Sequence, residues 1–95
     1  MKRRKLDDAE VTLALEQLPG WSLRDGRLRR EFRFDDFARA FGFMSSMALV
    51  SEAMNHHPEW SNVYGRVVID LSTHDAGGIT ELDLEWARRA DEFSR

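Results

Sequence analysis

The sequence predicts an α+β fold of order α-β-β-α-β-β-α, with a four-stranded antiparallel sheet that carries its helices on one face. Two segments alternate polar and apolar residues with the period of two that half-buried strands show. Asp25 and Gly26 separate two strand segments and are typical of a tight hairpin, because Gly accepts the positive φ that such turns require. Apolar residues recur at helical spacing before, between and after the strand pairs. Since hairpins pair strands antiparallel, these observations together predict the sheet.

The first helix is expected to start after a capping carboxylate, Asp7 or Asp8, and to run to about Gln17. Pro19 and Gly20 then stop it, because Pro cannot continue a helix and Gly favours a turn. A short strand over 21–24 follows.

The return strand over 27–34 shows the clearest alternation in the chain. Leu28, Phe32 and Phe34 share one face, and charged residues occupy the other. Arg30 is the exception, because it lies on the apolar face. This pattern predicts a sheet with one wet side.

Asp35 and Asp36 begin a long second helix, which must end near Asn55 and His56 because Pro58 disfavours helical angles in the residue before it. Its apolar residues surround too much of the helix for one core-facing stripe. They are Phe37, Ala40, Phe41, Phe43, Met44, Met47, Ala48, Leu49 and Val50. A small domain that exposes such a surface tends to bury it against a copy of itself, so we expect a homo-oligomer.

Two more strands are expected over 60–64 and 67–73, joined through Gly65 and Arg66. A loop over 75–78 then leads to a last helix. Thr80 and Asp83 form its capping box, in which each residue's side chain accepts from the other's backbone N–H.

The charge and composition exclude several classes of protein. The 95 residues carry 14 Lys and Arg against 17 Asp and Glu, so a net charge of −3 argues against a general binder of nucleic acid or anionic membranes. The absence of cysteine excludes a disulfide scaffold, a thiol nucleophile and a Cys-ligated zinc site. No apolar run approaches the roughly 20 residues of a membrane span. We expect a flexible basic tail over 1–6, one domain over 7–95 and a cytoplasmic location.

All three histidines lie where predicted elements end. His56 and His57 close the second helix, and His74 closes a strand before a Gly-containing loop. Imidazole exchanges protons near neutral pH, which makes these residues candidates for acid–base catalysis. Glu52 precedes His56 by four residues and could orient it on a shared helix face, although the same spacing fits an ordinary surface pair.

A metal site is the rival interpretation of three histidines, and the spacing does not favour it. Adjacent histidines point in different directions, and no pair is spaced to place two ligands on one face of an element. We predict no metal ligands. The residues alone indicate a pocket lined by histidines and no particular substrate.

Two segments of the chain, 52–64 and 71–83, resemble the signature motifs of the pterin-4a-carbinolamine dehydratases. The first contains Glu52-Ala53-Met54-Asn55-His56-His57-Pro58-Glu59-Trp60, and the second contains Ser72-Thr73-His74-Asp75-Ala76-Gly77-Gly78. Residues 37–44 are similar to the family's long helix. The resemblance covers roughly residues 7–93, and the basic start of the chain is not part of it.

The resemblance implies an activity, an assembly and a set of site residues. The family dehydrates 4a-hydroxytetrahydropterin to quinonoid dihydropterin, which recycles the pterin cofactor of aromatic amino acid hydroxylases, and it needs no metal and no organic cofactor. Its members are homodimers or homotetramers. Its active-site histidines match His56, His57 and His74, its associated acidic residues match Glu52 and Asp83, and its pocket-shaping residues match Pro58 and Trp60.

From these matches we expect His56, steadied by Glu52, and His74 to form the acid–base pair, with His57 binding the pterin. Which histidine is the acid stays open. Asp83 could hold a histidine or the pterin, and it also fits a plain first-turn acid of a helix. The alternative function is a non-catalytic binding module, because some proteins of this fold are transcription-factor dimerisation cofactors or assembly chaperones.

Overall fold

The computed structural model describes residues 3–95 and has the predicted elements in the predicted order. The helices are α1 (Asp8–Leu15), α2 (Phe37–Met54) and α3 (Glu81–Phe93). The strands are β1 (Ser22–Arg24), β2 (Arg27–Arg33), β3 (Glu59–Val63) and β4 (Arg66–Leu71). A single 3₁₀ turn, His74–Ala76, follows β4 and was not predicted. Among the described helices, none is long and apolar enough to cross a membrane.

The four strands form one antiparallel sheet in the order β1-β2-β4-β3, which confirms the predicted sheet. Leu28 pairs with Leu71, and Phe32 pairs with Val67, so their side chains share one face. These four side chains are buried, and α2 and α3 cover them. Because side chains alternate along a strand, the residues between them point to the other face, where they are exposed or half-buried, so the helices lie on the apolar face.

The opposite face carries paired charges. Arg29 donates two hydrogen bonds of 2.9 Å to the cross-strand carboxylate of Asp70. Glu31 lies between Arg33 and Arg66, and the hydrogen bond from Arg66 is the main cause that lowers the pKa of the Glu31 carboxyl. Ion pairs that stay in contact with water contribute only about 0–1 kcal/mol each, so these pairs add little to the stability of the sheet.

Arg30, the exception on the apolar face, reaches the edge where the sheet meets α3. Its guanidinium lies 4.2 Å from the centroid of the Phe32 ring and donates to Asp91 at 2.7 Å. Asp91 also accepts from the indole N–H of Trp21 at 2.8 Å. The charge is therefore satisfied without entering the core.

The β3–β4 hairpin turns one residue earlier than predicted. The turn lies at Tyr64 and Gly65, where Tyr64 adopts a left-handed φ of 51°, and Arg66 already belongs to β4. The side-chain amide of Asn62 donates to the carbonyls of Tyr64 and Arg66, both at 2.9 Å. These bonds hold the turn at a residue type that rarely takes positive φ.

The N-terminal segment reaches into the domain. Leu6 is buried, and its backbone N–H donates to the carbonyl of Ile79 at 2.8 Å. Residues 1 and 2 of the predicted tail lie outside the described residues, while Leu6, its last residue, packs in the core. The packed unit therefore includes Leu6 and does not begin at Asp7.

Candidate active site

The C-terminus of α2 sets the direction of the two adjacent histidines. Asn55 caps the helix in the left-handed conformation, with φ 52° and ψ 44°. The N–H of His56 then donates to the carbonyl of Ser51 at 3.0 Å, which completes the reversal of the chain. His56 consequently lies beyond the helix and no longer shares a helical face with the residue four positions before it.

His56 turns inward and pairs with a buried carboxylate from α3. Its Nε2 lies 2.5 Å from Oδ1 of Asp83, and the side chains are 8% and 0% exposed. The other oxygen of Asp83 accepts from the hydroxyl of Thr73 and from the backbone N–H of Thr80, both at 2.9 Å. A buried charge is tolerated only when it is paired and hydrogen-bonded, and Asp83 meets both conditions.

His57 turns outward and pairs with Glu52. Its Nε2 lies 2.7 Å from Oε1 of Glu52, and the side chains are 54% and 80% exposed. The prediction that Glu52 orients His56 is therefore wrong in its partner. The physical reason is the left-handed turn at Asn55, since the rule for residues four apart holds only inside a helix.

A cavity of about 640 Å³ lies beside these pairs and brings the three histidines together. His56 and His57 line it from the end of α2, and the exposed His74 lines it from the 3₁₀ turn after β4. Its further lining residues are Arg3, Met54, Asn55, Ser72, Thr73, Asp75, Ala76 and Leu82. The size is within the range of about 300–1,000 Å³ that is usual for small-molecule sites.

The other predicted site residues lie outside the lining of this cavity. Asp83 is hydrogen-bonded to His56, and Glu52 is hydrogen-bonded to His57. Pro58 is half-buried in the segment that leads into β3. The Trp60 ring packs edge-on against Trp86, with centroids 6.1 Å apart, and belongs to the rim of the core.

Three residues of the site were missed from the sequence. Thr73 was placed in a strand, Ser72 was given no role, and Arg3 was assigned to the tail. Thr73 could have been suspected because it precedes a candidate histidine at a strand end. Nothing in the local pattern indicates that Arg3 reaches the cavity.

The arrangement suits proton transfer. The buried His56 and the exposed His74 line one cavity in different surroundings, so one imidazole can donate a proton while the other accepts one. Over residues 3–95, no group of three or more His, Asp or Glu side chains is placed to hold a metal ion.

Curated relatives match nearly the whole chain. A protein from Solibacter usitatus is 54% identical over 90 residues, which cover 95% of each chain. A protein from Brucella ovis is 48% identical over 96 residues, which cover 99% of each. Both carry the name "Putative pterin-4-alpha-carbinolamine dehydratase".

Two solved structures are also similar to this chain. A "transcriptional coactivator/pterin dehydratase" from Brucella melitensis is 45% identical and superimposes with a TM-score of 0.94 over 97% of this chain and 100% of its own. A "pterin dehydratase-like protein" identified as a RuBisCO assembly factor is 24% identical, has a TM-score of 0.65 over 78% of this chain and 86% of its own, and shares the fold. The family model for pterin 4 alpha carbinolamine dehydratase matches residues 4–93. The chain thus belongs to the pterin-4a-carbinolamine dehydratase family.

Proposed function

We propose that the protein is a hydro-lyase that dehydrates 4a-hydroxytetrahydropterin to quinonoid dihydropterin and so recycles the pterin cofactor of an aromatic amino acid hydroxylase. The observation that carries this proposal is the placement of His56, His57 and His74 on one cavity, with His56 anchored to a buried carboxylate. The cavity volume of about 640 Å³ is ample for a bicyclic pterin. No metal and no organic cofactor takes part in the proposed reaction.

The reaction needs one acid and one base. The C4a–O bond breaks and the hydroxyl leaves as water after it takes a proton. The N5–H bond gives up its proton, and its electron pair forms the C4a=N5 double bond. Groups that move these protons contribute about 10²–10⁴-fold each.

The surroundings of the histidines indicate which one acts as the acid and which one acts as the base. The Asp83 carboxylate stabilises a positive charge on His56, so we assign the proton for the leaving hydroxyl to His56. His74 lies on the same cavity without a carboxylate partner among the described residues, and we assign to it the proton of N5. His57, held by Glu52, binds the pterin at the open side.

The family resemblance implied that Pro58 and Trp60 shape the pocket, and Asp83 was expected to hold a histidine or the pterin. Because none of them lines the cavity, we assign Asp83 to the support of His56 and the other two to the shape of the β3 edge. Arg3 lines the cavity instead and adds a cation beside the histidines.

Stopped-flow measurement of the dehydration of 4a-hydroxytetrahydropterin tests the proposal. We expect the wild type to exceed the uncatalysed rate, and His56→Ala and His74→Ala each to lower kcat at least about tenfold. His57→Ala, which removes a binding group, should mainly raise KM. Thermal unfolding of each variant controls for loss of the fold.

The same assay separates the enzyme from a binding module. A wild-type protein no faster than the uncatalysed reaction would overturn the proposed activity and favour the alternative of a transcriptional coactivator or assembly chaperone. The three histidines on one cavity favour the enzyme, because a binding module has no need of them there.

We also propose that the protein is a homodimer or homotetramer. Phe37, Phe41 and Leu49 on α2 are 52%, 55% and 75% exposed, as the excess of apolar residues on this helix predicted. Exposed apolar residues on one helix are commonly buried between subunits. Light scattering at micromolar concentration should give a particle of at least twice 11.1 kDa, and an 11.1 kDa particle would contradict it.

A further inference from the structure

Two threonine side chains, one of which also lines the cavity, extend the buried network of Asp83, although neither is needed to carry a proton of the reaction. The Thr73 and Thr80 hydroxyl oxygens lie 2.7 Å apart, and the Thr73 oxygen lies 2.9 Å from Oδ2 of Asp83. Both residues are buried, at 9% and 0% exposure. No buried side-chain polar atom of the described residues lacks a hydrogen-bond partner, so this network is complete.

The direction of each hydrogen bond follows from what each group can donate. The Asp83 carboxylate only accepts, so the hydroxyl of Thr73 donates to it. With its one proton used, Thr73 accepts from the hydroxyl of Thr80. The oxygen of Thr80 in turn accepts from the backbone N–H of Leu82 at 3.2 Å.

These hydrogen bonds give the two oxygens of the Asp83 carboxylate different partners. Thr73 and the backbone N–H of Thr80 both bind Oδ2, which leaves Oδ1 as the oxygen that faces His56. An acceptor at Oδ1 requires a proton on Nε2 of His56. The free ring nitrogen of His56, Nδ1, is then the one that exchanges a proton with the substrate.

We propose that Thr73 is a positioning residue for the dehydration. Its hydroxyl holds the Asp83 carboxylate in the orientation that fixes the Nε2–H tautomer of His56. This assignment rests on the proposed function for its catalytic consequence, while the tautomer itself is a property of the free protein.

The test compares three variants by NMR and by kinetics. Thr73→Val removes the hydroxyl and keeps the shape, and Thr73→Ser keeps the hydroxyl. Thr12→Val, at an exposed position of α1, is the matched control for the exchange itself. Long-range ¹H–¹⁵N spectra of the free protein report the tautomer of His56, and stopped-flow rates over a range of pH report its use in catalysis.

We expect neutral His56 to be the Nε2–H tautomer in the wild type and a mixture of tautomers in Thr73→Val. Thr73→Val should lower kcat roughly tenfold, since it loses a hydrogen bond to a charged group, with KM within about twofold. Thr73→Ser and Thr12→Val should behave as the wild type.

A Thr73→Val protein with the wild-type tautomer of His56 and a wild-type kcat would overturn the proposal, even if its folding stability fell. If Thr73→Val does not fold, the wild-type spectrum decides, because a dominant Nδ1–H tautomer contradicts the proposed hydrogen-bond direction. If the wild type shows no dehydration, the proposed function fails by itself. The tautomers of the two Thr73 variants still decide the role of Thr73.

Discussion

His56 and His57 are neighbours in the chain and opposites in their surroundings. His56 is nearly buried and pairs with a fully buried carboxylate that has two further donors. His57 and its partner Glu52 are both largely exposed. The geometry of the two pairs is similar, with separations of 2.5 and 2.7 Å, so distance alone does not distinguish them.

The two pairs differ in whether water can take the place of a lost hydrogen-bond partner. Water can solvate either partner of the exposed pair when the other is removed, so that pair contributes little. At the buried pair, removal of one partner leaves a buried polar atom of the other, Nε2 of His56 or Oδ1 of Asp83, without the hydrogen bond it makes in the folded protein. We therefore expect substitutions at the buried pair to have much larger effects, and three predictions test this contrast.

Asp83→Asn should give the largest effect. The amide keeps the size of the carboxylate but presents an N–H group or a weaker acceptor to His56, so the tautomer of His56 is no longer fixed. We expect the dehydration rate to fall at least about tenfold, the bound expected for loss of His56 itself. The free energy of unfolding should fall by about 1–3 kcal/mol, measured by urea denaturation.

Glu81→Gln is the matched control, since Glu81 is an exposed acid in the same first turn of α3. It loses the same favourable charge at the helix N-terminus without touching His56. Equal losses of rate in the two variants would mean that Asp83 acts through the helix and not through the imidazole.

Glu52→Gln should have a small effect. The glutamine can still accept from His57, and both side chains face solvent. We expect kcat and KM within about threefold of the wild type and an unchanged alkaline limb of the pH profile. Glu16→Gln, at another exposed position, gives the baseline. A displaced alkaline limb would indicate that Glu52 acts on His56 after all.

The Arg4–Glu10 pair offers the smallest effect and a second exposed pair for comparison. The hydrogen bond from Arg4, with one from the backbone of Asp7, lowers the pKa of the Glu10 carboxyl from 4.5 to about 2. Because the pKa of Glu10 is lower in the folded state than in the unfolded chain, the ionised carboxylate stabilises the folded state at pH values above the unfolded pKa. This contribution is lost as the pH falls from about 4.5 to about 2.

In Arg4→Ala, the free energy of unfolding should therefore fall less between pH 5 and pH 3 than it does in the wild type. Urea denaturation midpoints at these two pH values measure the difference. Arg3→Ala removes the same charge and leaves the pair intact. If both variants depend on pH as the wild type does, the pair makes no measurable contribution to acid stability.

The fold was predictable because its signals are local. The Asp25–Gly26 hairpin, the alternation of β2 and the Thr80–Asp83 capping box each depend on residues close in the chain. The boundaries were less accurate where a side chain decides the turn, as Asn62 does beside Tyr64.

The sequence predicted most residues of the site, but it predicted only some of the hydrogen bonds between them. The four-residue spacing from Glu52 to His56 predicts a contact only if both residues lie in the helix. Asn55 caps α2, so His56 lies beyond the end of the helix. The true partner of His56 lies 27 residues further along the chain. A capping box accounts for one oxygen of Asp83, and nothing local indicates what the other oxygen binds.

The double duty of Asp83 has a practical consequence for separating catalysis from binding in this protein. Asp83 starts α3 as well as holding His56, so a variant at Asp83 confuses an inactive enzyme with a weakened domain. His56→Gln avoids this, because the side-chain amide of Gln offers an N–H at about the reach of the imidazole Nε2. Such a chain would keep its buried carboxylate satisfied and lose its proton donor, which makes it a folded, silent copy for finding partners that do not depend on chemistry.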